Sequence, residues 1–453
     1  MNNALWSSIL HFDFDHTPGN YPFSVRLANE NRWTKSFTEN AIIEYKKFMY
    51  LATVSKVMIS PSAIVDVVWH QHLIFSKSYH DFCRLLGKDI QHVPATHNKA
   101  QLEQFKRAGE QTKVQYAEHF GQQPESIWTD GNMLDGLNLA PAKVKPGLMI
   151  LFGVLVFGLL LIPFYYLLKP IYTHINNPYF ILGFAAIALA AYVILDLYNK
   201  NRMKAVLHAF DSDSFVCQLT PLELVFLKTQ RLSEVIGGPV NELINNGTIK
   251  VTGQMISVSN TITAESAEQK QVVEVLQESG RIYYRRLLRI LESKPIFRNV
   301  ASSLTAFQNH FNQSKVFVKL FSVNFIVFAF LLMLPLIRMA TGIERNKPVI
   351  QVIIVVIALL VFIIFYLRRL SLMLCKETIP NWYSSHAQYK QRAASDWQWN
   401  YFLYGTAALN ASFFAIMNYN ERKRWGSADS GSGSSCGSSC GSSCGSCGGC
   451  GGD

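Results

Sequence analysis

The chain has 453 residues, 49% of them apolar, and a formal net charge of +11. That length leaves room for two modest soluble domains beside a membrane part, and juxtamembrane Lys and Arg meeting anionic lipid account for the charge more simply than nucleic acid does. Of 8 cysteines, Cys83, Cys217 and Cys375 are scattered and five crowd into the last 18 residues, which excludes a disulfide framework and fits a reducing compartment.

Residues 1–135 read as a mainly helical domain. Their opening, MNNALWSSILHFDFDH, has neither a basic leader nor an apolar core segment, so no secretory signal is expected. Residues 41–55 read as an amphipathic helix, apolar at Ile42, Ile43, Phe48, Met49, Leu51 and Ala52 and charged at Glu44, Lys46 and Lys47. A second helix is expected after Ser60-Pro61, because Ser caps and Pro fits a first turn. A third ends at Gly87, and a fourth, 99–120, is polar over most of its surface.

The distinctive feature of this domain is a cluster of Asp66, Trp69, His70, His72, His80, Cys83 and His92. Asp66 and His70, at i and i+4, share a helix face, so the carboxylate can orient the imidazole. His70 and His72 project about 200° apart, and one continuous helix cannot aim both at one metal. His80 and Cys83 sit at i and i+3, and a turn near Phe75-Ser76 would fold them back onto His72. His70, His72, His80 and Cys83 are thus the candidate Zn ligands of the domain. The competing reading has these histidines capping, hydrogen-bonding or lining an interface inside a helical bundle, and no catalytic residue is assigned.

The string VDVVWHQHLIFSKSYHDFCRLLGKDIQHVP resembles the signature of the glycine-rich-domain-containing-protein-like family. The shared features are a hydrophobic run, Trp69-His70-x-His72, Tyr79 followed by Cys83, and His92 after Gly87, within residues 41–94. The resemblance implies a helical module without a defined reaction.

After a linker, 136–147, residues 148–168 run 21 positions without a charge. At about 1.5 Å of rise per residue, a helix of that length covers the ~30 Å hydrocarbon core of a bilayer. Residues 179–198, 320–337 and 349–367 are of similar kind, and they pair into two hairpins, 148–198 and 316–367, through links at 169–178 and 338–348. A hairpin that crosses and returns leaves its flanks in one compartment, so the soluble parts are expected on one side. Lys143, Lys145, Lys200, Arg202, Lys204, Lys315, Lys319, Arg368, Arg369 and Lys376 flank the inner ends, against Lys169, Arg338, Arg345 and Lys347 in the links. That balance places the amino terminus in the cytoplasm. Pro163 is tolerable within a span, and Asp196 is read as an end-of-helix carboxylate in reach of headgroups rather than as a proton or ion site.

Residues 199–315 lie between the hairpins. Thr220-Pro221 with Glu223 opens a helix, a second, 231–236, is expected to stop at Gly237-Gly238, and a third runs from Pro239 to Gly247. Residues 248–258 then alternate around Gly253 as a small hairpin does. Three helices and a hairpin give the order of a winged helix. The third helix carries Glu242 and no Lys or Arg, which argues against nucleic acid and for an interaction module. A further helix over 264–291 carries Arg281, Arg285, Arg286 and Arg289 among apolar residues, suited to an anionic membrane surface or to a plain solvated face.

Residues 368–425 are polar and aromatic, and 401–417 is a marginal fifth span, read as an interfacial or docked helix. The Gly/Ser/Cys-rich tail, 426–453, has too little apolar surface to fold. Cys444, Cys447 and Cys450 form two overlapping C-x-x-C pairs and, with Cys436 and Cys440, suit Zn or Cu(I); the alternative is a low-complexity tether whose cysteines are incidental or modified. Leu219, Pro221, Glu223, Gly237, Gly238, Leu243 and Gly247, followed by a membrane hairpin and this tail, resemble a family of uncharacterised bacterial membrane proteins over 148–453. The chain departs from that pattern at Lys228-Thr229-Gln230, where a Gly-Gly would follow the first helix. The resemblance implies the bacterial inner membrane.

No GxxxxGK(S/T) or H-E-x-x-H string occurs, and G-x-S-x-G occurs only as GSSCG in the low-complexity tail. The chain therefore reads as a mainly α, polytopic membrane protein, a membrane-anchored scaffold or sensor whose partners are membrane lipid and protein. The alternative is a metal-handling or thiol-redox membrane protein using the tail and the His/Cys cluster. An enzyme built on that cluster is the third reading.

Overall fold

The computed structural model describes residues 2–16, 21–92, 99–259 and 262–417. Cys436, Cys440, Cys444, Cys447 and Cys450 lie outside the described residues. The amino-terminal part is a bundle of α1 (Asn3–His11), α2 (Phe23–Asn31), α3 (Lys35–Val54), α4 (Ala63–Ile74), α5 (Ser76–Leu86), α6 (Lys99–Phe120) and α7 (Glu125–Trp128). Helix α3 is its axis, packed by α1, α2, α4 and α6. That position overturns a one-sided view of 41–55. Ile43 is 39% exposed, whereas Glu44 and Lys46 are only 4% and 7% exposed. Lys46 Nζ donates to Leu10 O and Phe12 O, closing the end of α1. Glu44 accepts from Tyr116 OH at 2.8 Å, Trp128 Nε1 at 2.7 Å and Lys47 Nζ at 2.8 Å. Helix α4 begins later than Ser60-Pro61 suggests. Thr112 Oγ1 donates to Ser60 O and accepts from Ser60 N–H, holding that dipeptide outside the helix, and Ser62 supplies the cap.

Two long helices follow, α8 (Pro146–Tyr172) and α9 (Asn177–His208), and then a compact unit. It comprises α10 (Pro221–Thr229), α11 (Leu232–Asn245), β1 (Ile249–Thr252), β2 (Met255–Val258), α12 (Ala267–Ser279), β3 (Ile282–Tyr283), α13 (Tyr284–Ser293) and α14 (Pro295–Asn312). The strands form an antiparallel sheet in the order β1-β2-β3, with Ile249 opposite Val258 and Ile256 opposite Ile282. Two expectations change here. The second and third helices are one, because α11 runs straight through Gly237-Gly238-Pro239. The glycines are a notch rather than a stop: a Cβ on Gly238 would lie 3.0 Å from the Tyr401 ring, and one on Gly237 would lie 3.3 Å from its hydroxyl. The helix expected over 264–291 is two, separated at Gly280, whose φ of +66° suits glycine. The order is therefore helix, helix, hairpin, helix, strand, helix, helix, not three helices and a hairpin. In α13 the buried face is Tyr284, Leu287 and Leu291, while Arg285, Arg286 and Arg289 are exposed.

The chain ends in α15 (Lys315–Glu344), α16 (Ile350–Met373), α17 (Ile379–Ser385), α18 (Ala387–Arg392) and α19 (Trp397–Tyr404). Helices α8, α9, α15 and the continuous rod from α16 through α17 are long and apolar enough to cross a membrane. Helix α15 is the hub, packing α8, α9 and α16. Its start is fixed beside that of α8, because Ala142 N–H donates to Gln313 O and Lys315 N–H to Ala140 O. Large apolar side chains such as Leu159, Leu182, Ile187, Ile354, Ile364 and Phe365 are exposed on the outside of this group, more apolar surface than water tolerates.

Polar residues tie the four helices from inside. Asn199 Nδ2 donates to Asn324 Oδ1 at 2.8 Å and to Tyr366 OH at 2.9 Å, and Asn324 Nδ2 returns a bond to Asn199 Oδ1. In lipid such buried amides fix which helices meet and in what register. Asp196 is neutralised by Lys200 at 2.7 Å and Arg369 at 3.1 Å. At the opposite ends, Arg338 of α15 donates to Tyr172 O, Ile175 O and Asn177 Oδ1, capping α8 and holding the α8–α9 link against α15.

Residues 401–417 dock on α11 and α13. Tyr401 OH donates to Glu234 O, Asn410 N–H donates to Asn241 Oδ1, and the Phe413 ring meets Tyr284 edge-on. The amino-terminal bundle joins the same unit at the start of α3. Thr34 makes no side-chain cap there. Glu223 supplies it from α10: Oε1 accepts from Lys35 N–H at 2.9 Å, while Oε2 accepts from Thr220 N–H at 2.8 Å and Thr220 OH at 2.9 Å. The Ser36 hydroxyl donates to Gln218 O, and Asn299 Nδ2 donates to Trp33 O. One continuous buried apolar core consequently runs from Ile9 to Met417.

Candidate functional site at the Trp-His-x-His segment

Helix α4 carries Asp66, Trp69, His70 and His72, helix α5 carries Ser78, Tyr79, His80 and Cys83, and the segment after Gly87 brings back Ile90 and His92. Helical spacing sets Asp66 over His70, with Oδ2 3.2 Å from His70 Nδ1. Asp66 Oδ1 meets His92 Nε2 at 2.8 Å. The carboxylate thus stands between two imidazoles whose rings are 4.3 Å apart.

A short relay positions His92. Trp69 Nε1 donates to Tyr79 OH at 3.2 Å, and Tyr79 OH donates to Ile90 O, pinning the returning segment two residues before the ligand. The His92 ring then sits edge-on to Trp69, with centroids 4.6 Å apart. Trp69 and Tyr79 therefore act on the site through the backbone they hold. Burial pushes the Tyr79 phenol above its ordinary value, consistent with a permanent donor.

The candidate ligands divide. His70 joins Asp66 and His92 in a group whose ligand atoms all lie within 4.8 Å of one another. Among the described residues, His72, His80 and Cys83 belong to no such group. His72 is fully buried on the other side of α4, its Nδ1 2.9 Å from Tyr45 OH and its Nε2 3.2 Å from Ser78 Oγ. Aromatic rings of Phe14, Phe23, Tyr45, Tyr79 and Phe82 surround it. Burial pulls its pKa down to about 3, so the ring is a neutral hydrogen-bonding strut. His80 is exposed on α5, while Cys83 is buried. His92 and Asp66 are the partners that the ligand set read from the sequence left out. Spacing alone signals Asp66; nothing periodic signals His92, which returns through the Tyr79–Ile90 bond.

Two imidazoles and one carboxylate suit Zn held by three protein ligands, with the remaining position open to water or another ligand. The same geometry without metal is a carboxylate clamped by two histidines. A family model described as UCP032817-like matches residues 24–117, which contain α4, α5 and the whole Asp66–His70–His92 group. No curated protein and no solved structure matches the chain. Over residues 24–117, then, the chain is similar to a UCP032817-like family.

Proposed function

We propose that the protein is a membrane-anchored scaffold or sensor whose soluble modules work as one body on the cytoplasmic face of a bacterial inner membrane. The observation that carries this reading is the joint at Glu223, where one buried carboxylate caps the first turns of helices from both modules. Two hairpins, 148–198 and 316–367, anchor that body. Arg338 ties the link of the first hairpin to α15 of the second, and the cationic residues crowd at the opposite ends. In this reading the 199–315 unit is a surface for protein partners. Reporters inserted at the amino terminus and near position 260 test the layout: both are expected in the cytoplasm, and either one outside the membrane overturns it.

A second reading, metal handling, is favoured by the group of Asp66, His70 and His92. The purified full chain is expected to carry a bound Zn that survives deletion of residues 426–453 and is lost in His92→Ala, by metal analysis after dialysis. Zn or Cu lost with the tail, and indifferent to His92→Ala, would move the site to Cys436, Cys440, Cys444, Cys447 and Cys450 instead.

A further inference from the structure

A cavity of about 110 Å³ lies where α2, α3, α10, α12 and α14 converge, beside the Glu223 joint. Its walls are mostly apolar, with Val25, Leu222, Ile296 and Val300 among them. Lys35 and Glu39, both exposed residues, also line it. Deeper in stands Glu268, which is only 7% exposed. Its Oε1 is paired with Lys35 Nζ at 3.0 Å. Its Oε2 has no hydrogen-bond partner among the described residues, and a carboxylate oxygen left that way in a buried place costs several times what a satisfied one does.

The surrounding charge says what would satisfy it. Glu39, Glu223 and Glu268 bring three carboxylates to the cavity and Lys35 brings one ammonium. Glu223 is fully engaged by backbone and hydroxyl donors, so the unfilled demand is at Glu268, with the exposed Glu39 adding a second negative charge at the cavity. A divalent cation could use the carboxylate and hydroxyl oxygens here together with its own waters, but it would leave the aliphatic part of the walls without a partner. An organic ammonium needs one or two strong acceptors and a place for its carbon chain, and the cavity offers both.

We propose that this cavity is a binding site for a small alkylammonium compound, its N–H groups donating to Glu268 Oε2 and Glu39 and its chain lying against Val25, Leu222, Ile296 and Val300. Because both modules line the site, an occupied cavity holds them together more tightly than an empty one. The proposal goes beyond the membrane layout and does not depend on which side the modules occupy.

Calorimetric titration of the full chain in detergent tests it, with n-propylammonium as probe and n-propanol and magnesium as controls. Propylammonium is expected to bind and the two controls are not. Glu268→Gln should weaken binding by about tenfold or more. Val300→Phe, which fills the cavity while keeping every charge, should abolish it and keeps the test decisive if Glu268→Gln folds poorly. No binding of propylammonium, equal binding of propanol, tighter binding of magnesium, or binding that both variants leave unchanged would each overturn the assignment. Since sidedness plays no part in a detergent titration, its failure is distinct from a failure of the topology reporters.

Discussion

Replacing Glu44 by alanine is expected to destabilise the amino-terminal bundle by about 3–5 kcal/mol, because it leaves a partly buried cation and two ring donors without their shared acceptor. Glu44 lies on α3, and its three donors come from α3, α6 and α7. Tyr116 is fully buried, so its hydroxyl has no water to turn to once the carboxylate is gone. Glu44→Gln keeps an acceptor for Tyr116 and Trp128 but gives up the charge facing Lys47, and should cost about 1–2 kcal/mol. Denaturant unfolding of the full chain, with α6 followed by amide protection, separates the two variants. An alanine variant as stable as the glutamine variant would show that the ring donors find other partners and that α3 is not held through this carboxylate.

Glu44 also shows where the sequence stops being readable. Its position next to Lys46 and Lys47 looks like a solvated stripe, since local pattern records only charge. What makes it interior is the arrival of α1 on one side and of α6 and α7 on the other, a matter of partners tens of residues away. The long apolar helices were legible for the converse reason: hydropathy over a bilayer thickness is a local property. Their boundaries were less so, and α9 continues to His208, ten residues beyond the apolar run, because packing against neighbours carries a helix past the segment that composition marks. Gly237-Gly238 failed in the same way as Glu44. Two glycines look like a stop, yet they remain helical because the missing side chains make room for Tyr401, a residue more than 160 positions later.

At the candidate site the legible part was one helical turn. Asp66 over His70 follows from spacing, and so does the divergence of His70 from His72. That His72 is a buried strut depends on Tyr45 and Ser78, and that His92 belongs with Asp66 depends on the Tyr79–Ile90 bond. The paired amides Asn199 and Asn324 are a comparable case inside the membrane part, since each alone looks like a blemish in an apolar run and only their meeting explains both.

The second large effect is expected at the joint. Glu223→Ala removes the acceptor for Lys35 N–H, Thr220 N–H and Thr220 OH together, so α3 loses its cap and α10 loses the carboxylate half of its capping box, while Thr220 Oγ1 still accepts from the residue 223 N–H. Each cap is worth about 1–2 kcal/mol, and the buried donors left behind add to it, for a total of about 3–5 kcal/mol. The signature is more telling than the size. If one carboxylate serves both helices, amide exchange in the first turns of α3 and α10 must rise together, by about 100-fold or more. Glu223→Gln retains a single acceptor oxygen, so it can keep only one of the two capped, and exchange should rise in one first turn and not the other. Were α10 to loosen in Glu223→Ala while α3 kept its protection, the modules would be held by Ser36, Asn40, Asn299, the Lys35–Glu268 pair and the apolar contacts instead. A signal received in one module would then have no shared carboxylate through which to reach the other, and the idea of a single cytoplasmic body acting as a sensor would lose its physical basis.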